Sequence, residues 1–434
     1  MSGVHAMSEA FSKATIGENA LFNSLVVVPN VVQGLFRRRS TPVAAATLAD
    51  VDGKAISFLG SVDRRYQSRP VWVRMGLDEA LLVLNPDDVA RVLDASPGQI
   101  AADPDAKRKG MVHFQPDAVT ISRGEEWSSR RRFTESVLGK VGPPGGLTER
   151  VEQITREEIE PVGAETGEIS WQPWNKAIQR ITRRVILGDA AAGDWALTDT
   201  LERMMSGANS MPGKPSGDLG AFTDRIAAYI RRAEKGSIAG FFADAPVDSL
   251  TAPVGQVTHW MFAMGDTLAI NTLRGLVLLA NHQEKREHAI ADGTDEYLQA
   301  CLQEAMRLWP TTPMLSRETI TEIDWGGGLT IPAGTQVVVV NTYGHRNKER
   351  LDFADRFAPE EWVDGDAGSY PGFNAFSRGP QGCPGSNLAL LIGRVAMRVA
   401  LEGRTIEAKQ PILRDPASLP HMMDYFTAKI VVKD

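Results

Sequence analysis

Cys383 stands in the segment Phe376-Ser-Arg-Gly379-Pro-Gln381-Gly-Cys383-Pro384-Gly385, where glycine and proline surround a single thiol. Such a loop packs poorly and exposes sulfur, a setting suited to presenting one thiolate to a metal. The apolar run that follows, Leu388, Leu391, Ile392, Val395, Ala396 and Val399, has the 3.6-residue period of a buried helix. Pro384 suits the first position of that helix, so Cys383 is expected to cap its N-terminus, where free N–H groups and the helix dipole favour a thiolate. The nearby glycines let a flat ligand approach the backbone. The other cysteine supplies the contrast. Cys301 lies on the apolar face Leu298, Cys301, Leu302, Ala305, Trp309 of a helix, which is a packing position.

Three further groups have types and spacing that suit chemistry. In the apolar stretch from Val254 to Ala280, Ala263-Met264-Gly265-Asp266-Thr267 interrupts an otherwise continuous run. A transmembrane helix of ~20 apolar residues is one reading, and Asp266, Asn271 and Arg274 argue against it. Glycine inside a helix costs ~1 kcal/mol against alanine, and a buried carboxylate costs more unless paired. A local opening of the helix, with Asp266 and Thr267 delivering protons, would explain the insertion; a core threonine bonding back to a carbonyl beside a snorkelling aspartate would also suffice. Upstream, Trp127 and Arg131 are four residues apart on one helical face and can aim an indole N–H and a guanidinium fork at one anion. Arg130 and Arg132 fit a solvated basic face. Finally, Glu304 and Arg307 share a face of the helix Glu296 to Trp309, where a surface pair would contribute only ~0.2–0.5 kcal/mol.

The cysteine loop resembles the ligand loop of the cytochrome P-450 family, Phe-x-x-Gly-x-(Arg or His)-x-Cys-x-Gly. Phe376, Gly379, Cys383 and Gly385 meet it, and Gln381 replaces the basic residue. Glu304-Ala-Met-Arg307 resembles the family's Glu-x-x-Arg pair, Arg356-Phe357-Ala-Pro359-Glu-Glu361-Trp362 its meander, and Met264-Gly265-Asp266-Thr267 its distal helix, with Met264 at the usual glycine. The resemblance implies a mainly α fold with a smaller β-rich subdomain, forming a single domain over 1–434. It implies haem b with Cys383 as the axial thiolate, Trp127, Arg131 and Arg317 on the propionates, and Asp266 and Thr267 as proton donors. Glu361 occupies the place of an arginine that completes a triad with Glu304 and Arg307. The implied activity is a monooxygenase inserting one oxygen atom from dioxygen into a small apolar substrate, with NAD(P)H acting through a ferredoxin and ferredoxin reductase. A peroxygenase, an oxidative coupling or cyclisation enzyme, and a haem protein that only binds a ligand are the alternatives.

The elements needed to position these residues are visible in outline. Strand signals cluster at 70–85 and 325–343, with a further β segment at 428–432, while 125–310 is dominated by helical periods. No polar linker or repeat divides the 434 residues. Two cysteines without pairing context point to a reducing compartment, and the net charge of −7 argues against nucleic acid as a partner. In the segment 1–40, Leu25-Val-Val-Val28 is broken by Pro29 and followed by Arg37-Arg38-Arg39, the reverse of a signal peptide's charge order. No membrane anchor is expected there, and the expected protein is a cytoplasmic monomer of bacterial type. Arg130, Arg132, Arg378, Arg394 and Arg398 would offer a docking patch to an acidic electron carrier. By resemblance, the pocket is expected near 111–120, 204–211, 260–267, 311–315 and 419–425. Lys107, Arg108 and Lys109 either anchor a substrate carboxylate at its entrance or form a solvated loop.

Overall fold

The central element is the helix Pro253–Asn281, 29 residues long. Pro253 fits the first turn, where its missing N–H costs nothing. Val257, Trp260, Met261, Leu268, Leu273, Leu276 and Leu279 are all buried, and a helix apolar on every side belongs in a core. It is the one described helix long and apolar enough to cross a membrane, but 72% of its most apolar window is buried inside the protein. The helices Trp171–Leu187, Glu296–Leu308 and Ser386–Leu401 pack against it. Gly393 allows the last of these a close approach, since a Cβ there would lie 2.3 Å from the Leu302 side chain. The structure is a computed structural model describing residues 10–142, 146–210 and 213–433; Met211, at the end of one expected pocket segment, lies outside them.

The strands form a side of their own. Five make one sheet in the order Val71–Met75, Asp78–Val83, Gln336–Val340, Met314–Thr319, Ile100–Ala101. Asp78–Val83 and Gln336–Val340 run parallel, and the other neighbours are antiparallel. The expected strand regions at 70–85 and 325–343 are therefore present, and the terminal β segment is the strand Lys429–Lys433. Met314–Thr319 was not anticipated as a strand. Its pairing with Gln336–Val340 sets Arg317 opposite Val337 and so fixes where that arginine stands.

Glu304 and Arg307 are the clearest case of local spacing with a non-local purpose. Both are fully buried. Arg307 donates from Nε and Nη2 to the two Glu304 oxygens at 2.6 Å each, and to the carbonyls of His345 (2.9 Å), Ala354 (2.9 Å) and Arg356 (2.8 Å). Glu304 in turn accepts the Ala358 N–H at 2.9 Å and the Trp362 Nε1–H at 2.8 Å. The third side-chain partner is thus Trp362, one residue beyond the Glu361 position where it was sought. A buried ion pair is tolerable only when its remaining donors and acceptors are used, and here they pin the Glu296–Leu308 helix to the 345–362 segment. Glu304→Gln should destabilise the protein by ~3–5 kcal/mol, because it leaves the Arg307 charge uncompensated. Trp362→Phe, which leaves one acceptor short, should cost ~1–3 kcal/mol. Urea unfolding measures both, and the ranking should hold whatever the absolute values.

Candidate functional site

The loop around Cys383 is shaped by its own backbone. Cys383 N–H donates to the Phe376 carbonyl at 2.8 Å, and Gly382 N–H to the Gly379 carbonyl at 2.9 Å. Gly379 has φ +67°, and a Cβ there would stand 2.6 Å from the Leu93 carbonyl oxygen, so only glycine fits. The following helix starts at Ser386 with Gly385 as its cap. Cys383 and Pro384 therefore precede the helix instead of capping and starting it, because a turn intervenes. The thiol still collects the benefit of the nearby amides, since the Gly385 N–H points at it. Its sulfur is exposed, yet the crowded surroundings push the thiol pKa up, the Gly385 N–H and Arg131 opposing that shift without cancelling it. A thiolate here needs a positive partner, which a metal ion supplies. Cys301 is buried, and burial pushes its thiol well up, as a packing residue requires.

Arg131 reaches this loop from the helix Gly124–Leu138, donating from Nη1 to the Gly382 carbonyl at 2.6 Å and from Nε to Glu135 at 2.6 Å. Trp127 lies one turn earlier, half-buried. Arg130 is not on a solvated face: it is 7% exposed and bonded to Ser122 and the Leu250 carbonyl. That removes it from the expected docking patch. Arg378, Arg394 and Arg398 are also engaged, with Asp94, Gln299 and Asp295 respectively, leaving Arg132 as the most exposed of the five.

Gln381 is committed to the sheet. Its Oε1 accepts the Ala102 N–H and its Nε2 donates to the Ile100 carbonyl, both at 2.7 Å. A cation is bonded to the same Ala102. Lys107 donates to the Ala102 carbonyl at 3.0 Å and to Thr120 Oγ1 at 2.5 Å. It faces Arg317, which holds Ser377 of the cysteine loop at 2.8 Å and has a buried Nε with no partner. Neither cation makes an ion pair with a carboxylate among the described residues. Burial lowers the Lys107 pKa to about 7, Arg317 adding to the shift, and burial lowers Arg317 to about 10. A buried arginine beside a half-buried lysine, with Asp103 acting on the lysine but no described carboxylate in ion-pair contact with either, suits a ligand with anionic arms. A flat dianionic haem beside an exposed thiol matches that donor set. Arg108 and Lys109 are instead paired with Asp103 and Asp105, so they do not form a substrate anchor.

The central helix runs as α-helix through Gly265, Asp266 and Thr267, without the expected opening. Gly265 serves a different end, because a Cβ there would meet Gln179 Nε2 at 2.6 Å. That closeness lets Gln179 (3.1 Å) and Asn175 (2.9 Å) both donate to Asp266 Oδ1. These two holders were missed by sequence reading; the available signal was a pair of amides four residues apart on a helix rich in Trp and Ile. Thr272, not Thr267, bonds back to a helix carbonyl, at 2.8 Å from that of Leu268. Asp266 and Thr267 line a cavity of about 140 Å³ together with Phe262, Trp309–Pro313, His421–Met423 and Tyr425. The expected segments near 260–267, 311–315 and 419–425 are present. Those near 111–120 and 204–210 are not in its wall. Their place is taken by the N-terminal segment from Asn30 to Asp52, which folds over the cavity.

The fold is the cytochrome P450 fold, and residues 255–403 match the cytochrome P450 family. The chain is 28% identical over 173 residues to cytochrome P450 4c3 of Drosophila melanogaster, covering 35% of this chain and 32% of that one. It is 29% identical over 185 residues to cytochrome P450 4A24 of Sus scrofa, covering 39% and 36%. The matched stretch thus spans about a third of the length of these curated relatives. Among solved structures, a zebrafish cytochrome P450 with progesterone superposes with TM-score 0.70 at 15% identity, covering 88% of this chain and 99% of that one. A cytochrome P450 from Thermus thermophilus gives 0.66 at 18%, covering 88% and 98%.

The Lys107 environment has a measurable sign. Its pKa is about 7 when folded against an ordinary 10.5, so between those values the unfolded chain binds a proton that the folded chain does not. Stability of the haem-free protein should therefore gain a rising contribution from about pH 7 upward, and the penalty should be constant below it. Urea unfolding across about pH 6.5 to 9 should show a steeper rise for wild type than for Lys107→Met; identical slopes would mean Lys107 is solvated.

Proposed function

We propose that this chain is a haem-thiolate monooxygenase that inserts one oxygen atom from dioxygen into a small, mainly apolar organic substrate. The observation that carries the reading is the exposed Cys383 thiol in a loop whose Ser377 is held by Arg317, itself beside Lys107 with no carboxylate to pair them. Haem, when bound, would supply the dioxygen activation and oxygen insertion. The residues do the rest. Cys383 is the thiolate ligand, and Phe376, Gly379 and Gly385 set the shape of its loop. Arg317 and Lys107 take the propionates, with Trp127 and Arg131 on the adjoining face, Arg131 also fixing the Gly382 carbonyl. Asp266, oriented by Asn175 and Gln179, would hand protons to the Thr267 hydroxyl at the cavity wall.

Electrons come from outside the described chain, and a ferredoxin with its NAD(P)H-dependent reductase is the proposed supply. The proposed setting is a cytoplasmic monomer. That the zebrafish structure holds progesterone, and a cyanobacterial structure with TM-score 0.68 at 16% identity holds retinoic acid, supports a compact lipophilic substrate class. The Asp266-Thr267 pair favours dioxygen over peroxide as the oxidant, because a peroxygenase needs no such relay.

Thr267→Ala and Asp266→Asn test the reading. Both should retain haem and substrate binding while product per NAD(P)H falls, with a loss in product rate of ~10²–10⁴-fold, the range for a positioned proton donor. Asn175→Leu should produce a smaller loss in the same direction by loosening Asp266. Unchanged coupling in all three variants would reduce these residues to a structural role, and full turnover with hydrogen peroxide alone would replace the monooxygenase reading by a peroxygenase.

A further inference from the structure

Three consecutive arginines, Arg37-Arg38-Arg39, lie in the loop between the helices Val28–Gln33 and Ser40–Leu48, and only the outer two are engaged. Arg37 pairs with Glu202 at 2.6 Å. Arg39 donates to Ser210 Oγ at 3.2 Å and to the Val32 carbonyl at 3.4 Å. Asn209 clamps the loop twice, accepting the Phe36 N–H at 2.9 Å and donating to the Arg37 carbonyl at 2.8 Å. The turn itself requires Gly34, whose φ is +96° and whose place a Cβ would fill only by standing 2.0 Å from the Arg37 carbonyl oxygen. A loop fixed on both flanks in this way orients the residue between them.

That residue, Arg38, lines the same cavity as Asp266 and Thr267. It makes no hydrogen bond or ion pair among the described residues. Arg274, two helical turns beyond Thr267, lines the cavity as well. Its Nη1 donates to the Trp309 carbonyl at 2.7 Å and its Nη2 to the Met423 carbonyl at 3.4 Å, while its buried Nε has no partner. Asp52 also faces the cavity and feels both arginines, yet forms an ion pair with neither. Two carboxylates line the cavity with the two guanidiniums: Asp266, held by Asn175 and Gln179, and Asp52, which makes no ion pair; Asp424 also acts on Arg274. Arginine removed from water without a partner is costly, and its planar fork matches a carboxylate in two-point contact.

We infer that the substrate taken by this cavity carries a carboxylate, held by Arg38 with Arg274 as the second cation, while its apolar body extends along Phe262, Ile270 and Met423. This deepens the monooxygenase reading and rests on it. Asp52 then has a defined part as the opposing charge that weakens acid binding, so that removing it strengthens the contact. The polar groups at the other cavity residues do not substitute for Arg38: Tyr425 is neutral at ordinary pH, burial having pushed its pKa above the usual range, and Asp266 is already held by two amides.

The test is calorimetric titration of a series of ω-phenylalkanoates of increasing chain length, each beside its neutral amide, into the haem-loaded protein. At least one acid should bind more tightly than its amide. Arg38→Gln should weaken that acid about tenfold or more and leave the amide nearly unchanged, as loss of a charge-assisted contact predicts. Asp52→Asn should tighten the acid, a gain that damage to the fold cannot imitate. The inference is overturned if no acid exceeds its amide, if Arg38→Gln weakens acid and amide alike, or if Asp52→Asn weakens the acid. The carbon-monoxide spectrum of the same reduced samples separates the two layers. A missing thiolate band with acid preference intact removes the monooxygenase reading alone; a thiolate band without acid preference removes this one alone.

Discussion

Everything at this site depends on holding one loop still around an exposed sulfur. Glycine-rich backbone has little intrinsic rigidity, so much of the order around Cys383 is imposed from outside. Gln381 fastens the loop to the Ile100–Ala101 strand, Arg317 fastens Ser377, and Arg131 fastens the Gly382 carbonyl. Each clamp comes from a different part of the chain, and two of them bring a cation. The same contacts that fix the loop therefore also make its surroundings positive, which would suit a thiolate ligand and an anionic cofactor.

The cavity beside the central helix is organised by a different constraint. The central helix carries its carboxylate half-buried at the cavity wall, and the neighbouring helix aims two amides at it. Gly265 is the concession that lets them in. The glycine thus works on the side of the helix facing Gln179, and the helix needs no break to place acid and alcohol together at the cavity. The N-terminal segment completes that cavity and contributes the arginine that gives it a polar end.

What the sequence disclosed follows the range of the interactions. The thiol loop, the buried helix behind it and the Glu304–Arg307 pair were legible because each is a pattern within a few residues. The mainly helical fold and the two strand clusters were legible from periodicity. Trp362 was one residue from where a partner was sought, since a meander has no period from which to read register. Gln381 was recognised as a departure, but the nearness of Lys107 was not, because the two are joined through Ala102, far from Gln381 in the sequence. Asn175, Gln179 and Arg38 were hidden for the same reason: each acts on a residue or cavity assembled from distant parts of the chain. The expected helix opening and cap at Cys383 failed because glycine and proline report that a backbone is unusual without saying which neighbour makes it so.

The most direct measurement is the absorption spectrum of the reduced protein under carbon monoxide. The account predicts the red-shifted band of thiolate ligation in wild type and in Cys301→Ala, and its loss in Cys383→Ala. A Cys383→Ala protein that keeps the thiolate band, or a wild-type protein that takes up haem without ever showing it, would contradict the assignment of Cys383 as the ligand.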